Sequence, residues 1–279
     1  MSGVGFLDES VAAGSPGDGS GRGSAGGGGL RSGADTEGDT LPQAEGAPTS
    51  CSGARAQLAA LVAAYQDDPS RVPSYSRLRR PVRAGSRAPR EASVLVLFGE
   101  LDGIPARRSS AAVPSELDVL LVLRASTLRD HAGEIAFPGG GADEGDLDAI
   151  DTALREAREE TGVDTAGISI LGALPVAPTV SNFTVTPVIG WWDAQSEVGV
   201  VDVGESAAVF RTPVADLVDP ANRCMTVMNF GGTEWVMPAF RLPQGLLWGF
   251  TAAILASLLD ELGWTEPWDE NDRISPPGY

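Results

Sequence analysis

Three carboxylates, Glu156, Glu159 and Glu160, lie together in the stretch Arg155-Glu156-Ala157-Arg158-Glu159-Glu160-Thr161-Gly162-Val163. At about 100° per residue of an α-helix, Glu156 and Glu160 fall about 40° apart around the axis, with Glu159 about 60° to the other side. All three therefore point into one narrow arc. Like charges that close repel, and each raises the pKa of its neighbours. A divalent cation that prefers hard oxygen donors, Mg²⁺ or Mn²⁺, makes such a cluster favourable. A glutamate-rich helix face is also the ordinary form of a solvated surface, so the flanking residues must decide between the two.

Those flanks have an order of their own. Phe137-Pro138-Gly139-Gly140-Gly141 closes an apolar segment, and consecutive glycines allow a tight turn or a close backbone approach to a ligand. Asp146 and Asp148 can cap the helix that follows. Ile150, Ala153, Leu154 and Ala157 recur at helical spacing and give that helix a buried side. Gly162 stands where a left-handed stop is expected, and Arg155 can reach Glu159 four residues on and hold it. The layout reads as strand, glycine loop, helix with an acidic face, stop.

This layout resembles the Nudix box, Gly-x5-Glu-x7-Arg-Glu-U-x-Glu-Glu-x-Gly-U, with U a bulky apolar residue. Gly141, Arg155, Glu156, Glu159, Glu160 and Gly162 fall in register. Two positions depart from it. The early glutamate falls on Leu147, between Asp146 and Asp148, and the apolar residue after Arg-Glu is only Ala157. Just upstream, Leu120-Leu121-Val122-Leu123-Arg124-Ala125, Arg129, Gly133 and Phe137-Pro138-Gly139-Gly140 are similar to the segment that marks the coenzyme A pyrophosphatase branch of that family, with Val122 in place of a Thr.

The resemblance implies an α/β/α sandwich around a mixed sheet, and hydrolysis of the pyrophosphate of coenzyme A or an acyl derivative with Mg²⁺ or Mn²⁺. The other expected substrates are nucleoside diphosphate derivatives such as ADP-ribose or NADH. A module that binds a nucleotide without cleaving it is the reading of another class, and it has no use for the three glutamates. Glu156, Glu159 and Glu160 become the metal ligands, with Glu159 also a candidate general base. Glu205 is a second candidate, because some Nudix enzymes take a base or ligand from this part of the fold. Arg155 joins the catalytic set as the residue that holds Glu159. Arg124 and Arg129 suit bidentate phosphate contacts, and structural ion pairs are the other use for them in an acidic protein. His131, the single histidine, lies within the branch signature and is a candidate substrate contact or a surface residue. Gly139 and Gly140 would let the substrate approach the backbone. Many enzymes of the family are dimers, so the resemblance allows a homodimer.

Composition sets the frame. The chain has 279 residues and a net charge of −18, and its basic residues are all Arg. That balance argues against nonspecific binding to nucleic acid. Residues 71–90 nevertheless carry seven Arg and no acid. They form either a solvated linker or a basic rim that steers a polyanionic substrate, which the salt dependence of catalytic efficiency would reveal. The first fifty residues hold fourteen glycines and read as a disordered tail. No secretory leader or membrane-length apolar run is expected. Two distant cysteines, Cys51 and Cys224, suit free thiols in a reducing cytoplasm. The expected division is a tail over 1–52, a helix and Arg/Pro-rich linker over 53–91, the catalytic domain over 92–265 and a short tail over 266–279.

The remaining elements follow from periodicity. A helix is expected over 54–65, and strands over 93–98, 118–124, 134–137, 168–175, 183–191 and 207–212. A helical turn is expected from Pro213 to Val218. A hairpin is expected over 225–240 around Gly231-Gly232-Thr233, and an amphipathic helix over 246–262.

Overall fold

A computed structural model of the chain describes residues 48, 50–77, 88–100, 106–128, 131–179, 182–230 and 233–278, within a compact unit spanning Thr40–Tyr279. In chain order its elements are α1 (Cys51–Asp67), β1 (Arg90–Glu100), β2 (Leu117–Arg124), β3 (Ile135–Ala136), β4 (Gly139–Gly141) and α2 (Ala149–Thr161). There follow β5 (Ile168–Ala173), β6 (Ala177–Pro178), β7 (Phe183–Trp192), β8 (Ser206–Pro213) and α3 (Val214–Val218). The last are β9 (Arg223–Phe230), β10 (Thr233–Leu242), β11 (Gly245–Leu247), α4 (Gly249–Glu261) and β12 (Arg273–Ile274).

The main sheet is mixed. Strand β1 runs parallel to β7 from Arg90↔Phe183 to Gly99↔Trp192, and antiparallel to β2 and β4. Being central, β1 is buried on both faces and sorts its side chains with period two. Val96 and Phe98 join the core under α1 and α4, whereas Leu95 and Leu97 join the core under α2. Helices thus cover both faces, the α/β/α arrangement expected from the sequence. A smaller sheet, β11-β10-β9-β12, completes the unit. Among the described residues no helix is long and apolar enough to cross a membrane.

Helix α2 begins and ends as its residues dictate. Asp148 caps it, accepting from the N–H groups of Ile150 and Asp151 at 2.8 and 2.9 Å, a contact worth about 1 kcal/mol. Gly162 ends it at φ +71°, where a side chain would be strained. Ala153 and Ala157 are fully buried against Leu95, Leu97, Leu120 and Val188. The small residue at 157 therefore serves close approach of helix to sheet.

Three expectations need correction. The triple glycine is strand rather than loop: Gly139, Gly140 and Gly141 pair with Val94, Ser93 and Ala92 of β1. Leu246 and Leu247 belong to β11, which pairs with β10, so α4 starts only at Gly249. That helix is not amphipathic either, because every residue from Thr251 to Leu259 is buried. A helix enclosed on all sides carries no polar stripe, and periodicity cannot outline it.

The segments flanking the expected domain are packed where they are described. Helix α1 buries Ala54, Leu58, Leu61, Val62 and Tyr65 in the core. Beyond 265, Arg273 and Ile274 pair with β9. Gly231 and Gly232, and residues 78–87 of the Arg-rich segment, lie outside the described residues.

Candidate active site

Strand β4 turns bare backbone toward the glutamates of helix α2. The Gly139 N–H donates to Oε2 of Glu160 at 3.0 Å. A Cβ built on Gly140 would lie 2.5 Å from the Glu156 carboxylate. Gly140 thus opens the space in which Glu156 rests directly on backbone, which only a residue without a Cβ permits, while Gly139 holds Glu160 through its N–H.

Arg155 organises the outer side. Its guanidinium donates to Asp146 through Nε at 2.8 Å and Nη2 at 2.9 Å, to Glu156 at 2.9 Å, to Glu159 at 3.2 Å and to the Gly141 carbonyl at 2.9 Å. The predicted Arg155–Glu159 contact is present. Asp146 is not a helix cap; it is the bidentate partner of Arg155 and also accepts from Thr152 Oγ1 at 2.9 Å. Leu147, where the box has glutamate, is 91% exposed, so the carboxylate that grips Arg155 comes one residue earlier. Nothing in the sequence spacing signals this nine-residue pairing.

Burial sets the electrostatics of the inner pair. Glu160 is 8% exposed, and its pKa is pushed up to about 7, chiefly by burial, with Glu156 and Glu205 adding to the rise. The Gly139 N–H and Arg124 oppose it. Burial also raises Glu156, against the pull of Arg155. Asp146 is held well below the usual carboxylate range by Arg155. Glu159 is different: its side chain is 55% exposed and lies at the edge of the arc.

Arg124 ends β2 where the register with β8 slips, pairing with Ser206 after Leu123 pairs with Ala208. Such an irregularity re-aims a side chain. Its Nη1 lies 4.0 Å from Glu160 Oε1, and its Nε is buried without a hydrogen-bond partner among the described residues. Glu205 is exposed just before β8, and its carbonyl accepts from the Ala125 N–H at 2.8 Å. The chain therefore brings Arg124, Glu160 and the Glu205 turn to one end of β2. His131 is half-exposed, with Nδ1 2.9 Å from Glu134 Oε2. Arg129 lies outside the described residues. Trp191 and Trp192 are core residues.

Residues 105–222 match the NUDIX domain family model. A protein of Cronobacter sakazakii described as an uncharacterized Nudix hydrolase NudL is 34% identical over 161 residues, covering 56% of this chain and 83% of the relative. The chain belongs to the Nudix hydrolase family. A second NudL protein, from Pectobacterium atrosepticum, is 36% identical over 150 residues, covering 50% of this chain and 72% of the relative. The solved Nudix hydrolase RenU of M. smegmatis is 17% identical and aligns over 66% of this chain and 92% of its own, with a TM-score of 0.42.

As a Nudix hydrolase, the protein is an enzyme that cleaves phosphoanhydride bonds, and enzymes of this family use divalent metal cations. Among the described residues, no three His, Cys, Asp or Glu side chains already converge as a ligand set. The chemistry of the donors nevertheless fits a hard cation. Glu156 and Glu160 are carboxylates withdrawn from water, both raised in pKa; Arg155, which Glu156 shares with Asp146 and Glu159, reaches Glu156 at 2.9 Å, and Arg124 approaches Glu160 only to 4.0 Å. These guanidiniums do not outweigh the burial of the pair, which a hard cation would relieve.

Two outcomes follow from this geometry. In chelator, the unfolded chain releases the Glu160 proton near the ordinary glutamate value of 4.5, whereas the folded chain keeps it up to about 7. The folded state therefore binds more protons between those values, and its stability falls as pH rises through that window. Melting curves of Glu160→Gln should lack this slope. Arg155→Met should lower the melting temperature by on the order of 5 °C and reduce kcat/KM, because Asp146, Glu156 and Glu159 lose a shared partner. Thermal melts and steady-state kinetics check both effects.

Proposed function

We propose that the enzyme hydrolyses the pyrophosphate link of coenzyme A or an acyl-coenzyme A, giving adenosine 3′,5′-bisphosphate and 4′-phosphopantetheine. The observation that carries this reading is the meeting of two signatures at one side chain. Arg124 and Gly139, from the segment that resembles the coenzyme A branch, both turn onto Glu160 of the acidic helix.

Glu156, Glu159 and Glu160 would hold Mg²⁺ or Mn²⁺. When bound, such an ion polarises phosphoryl oxygens and lowers the pKa of water. Glu159, or Glu205 across the site, takes a proton from the attacking water. The water oxygen bonds to one phosphorus, the bridging P–O bond breaks, and the bridging oxygen leaves with the other phosphate. Arg155 positions Glu156 and Glu159. The Arg124 Nε, without a hydrogen-bond partner among the described residues, suits a phosphate oxygen. Arg129, His131, Gly139 and Gly140 complete the substrate contacts. A cytoplasmic location agrees with two free, buried cysteines.

The test is product analysis with Mn²⁺ on coenzyme A, ADP-ribose and NADH. Turnover of coenzyme A to the two named products supports the proposal. Turnover of only the other compounds would move the substrate assignment to them. No turnover of any would favour a binding module.

A further inference from the structure

The basic stretch over 71–90 ends in Arg90, the first residue of β1. Arg71 of that stretch lies 4.0 Å from Glu261. Arg90 is exposed, and its side chain makes no ion pair or hydrogen bond among the described residues. Its guanidinium lies over the ring of Phe183 instead, with Cζ 4.2 Å from the centroid. That cation–π contact holds the group in place. A ring supplies no oxygen, so the N–H donors of the guanidinium stay available to a ligand from solvent.

Backbone contacts build the corner that carries this pair. Arg90 and Phe183 face each other where β1 and β7 begin. The Arg90 N–H donates to the Asn182 carbonyl at 3.1 Å. The Phe183 N–H donates to Thr179 Oγ1 at 3.1 Å, and its carbonyl accepts from the Thr179 N–H at 2.8 Å. Asn182 takes φ +64°, a conformation asparagine tolerates, and its Nδ2 donates to the Ala88 carbonyl at 3.3 Å.

Strand β1 also fixes how far this corner is from the acidic helix. Val94 pairs with Gly139, whose N–H donates to Glu160. Arg90 stands four residues upstream, about 13 Å along an extended strand. Ala92 pairs with Gly141, and the Glu91 carbonyl accepts from the Ala142 N–H at 3.1 Å. The Arg90 end of β1 is thus the end at which the chain leaves β4 for α2. One ribose unit and an extended arginine side chain cover that span together.

Coenzyme A differs from ADP-ribose and NADH in carrying a third phosphate, on the 3′ oxygen of its adenosine. We propose that Arg90 binds this phosphate and so sets the preference of the enzyme among nucleoside diphosphate derivatives; the inference rests on the substrate reading given above. The planar guanidinium fork matches phosphate oxygens. In a chain of net charge −18, a positive group at this corner also offsets the repulsion that the extra phosphate meets.

The test compares coenzyme A with 3′-dephospho-coenzyme A on the full-length protein with Mn²⁺. The wild type is expected to favour coenzyme A at least tenfold in kcat/KM, the scale of a hydrogen bond to a charged group. Arg90→Met should lose at least tenfold on coenzyme A, chiefly through KM, and change by less than about threefold on the dephospho compound. Arg90→Lys should restore part of the preference, because it keeps the charge without the fork. Calorimetry gives a reading without turnover: adenosine 3′,5′-bisphosphate should bind the wild type at least tenfold more tightly than adenosine 5′-monophosphate, and Arg90→Met should abolish the difference. No turnover of coenzyme A would overturn this inference together with the substrate reading. Turnover of coenzyme A with no preference over the dephospho compound, or an equal loss on both in the folded Arg90→Met, would overturn this inference alone.

Discussion

Glu160→Gln is expected to lower kcat/KM at least ~100-fold, the scale on which a metal-ligand or general-base function is lost. The substitution keeps the shape of the side chain and leaves an oxygen to accept from the Gly139 N–H, which now reaches Glu160 at 3.0 Å. It removes a carboxylate that burial already disfavours, so the melting temperature should hold or rise. Activity lost with stability kept is the pattern of a residue retained for chemistry. Glu159→Gln is expected to lose activity on the same scale from an exposed position, where a structural role has little to act on. Losses under threefold in both variants would remove the assignment of the site to α2.

Gly140→Ala and Gly139→Ala should separate chemistry from folding at adjacent positions. A Cβ at 140 meets the movable end of Glu156 at 2.5 Å. That carboxylate must shift by around an ångström, a misplacement that costs about 10²-fold in rate, while the backbone stays as it is. A Cβ at 139 meets the Ser93 carbonyl at 2.3 Å and the Val94 Cα at 2.7 Å. Neither can retreat without moving β1, so this variant should lose about 1–3 kcal/mol or more of stability, as overpacked cores do. Urea unfolding and steady-state kinetics on both proteins give the comparison. Full activity in Gly140→Ala would show that Glu156 need not rest where it does.

The parts legible in the sequence were those governed by local spacing. The acidic face of α2, its cap at Asp148, its stop at Gly162 and the Arg155–Glu159 contact all lie within a few residues of each other, so helix geometry alone placed them. The Val- and Leu-rich runs of β1 and β2 and the alternating run of β7 were legible for the same reason. What stayed hidden depends on contacts between distant segments. The glycine strand could not be distinguished from a loop, because its pairing with residues 92–94 of β1 leaves no pattern in three glycines. Asp146 looked like a cap until the fold carried Arg155 to it. Helix α4, apolar on every side, offered no face to mark its start, and Leu246-Leu247 were absorbed into it. The re-aiming of Arg124 arises from a register slip against β8 some eighty residues away.

The most direct test of the acidic helix as a cation site is Mn²⁺ binding followed by electron paramagnetic resonance at pH 8, above the range in which Glu160 holds its proton. The wild type should take up Mn²⁺, and Glu156→Gln/Glu160→Gln should bind it at least ~10-fold more weakly, since even residues that merely support metal ligands change affinity by that much. Equal uptake by a folded double variant would contradict the assignment.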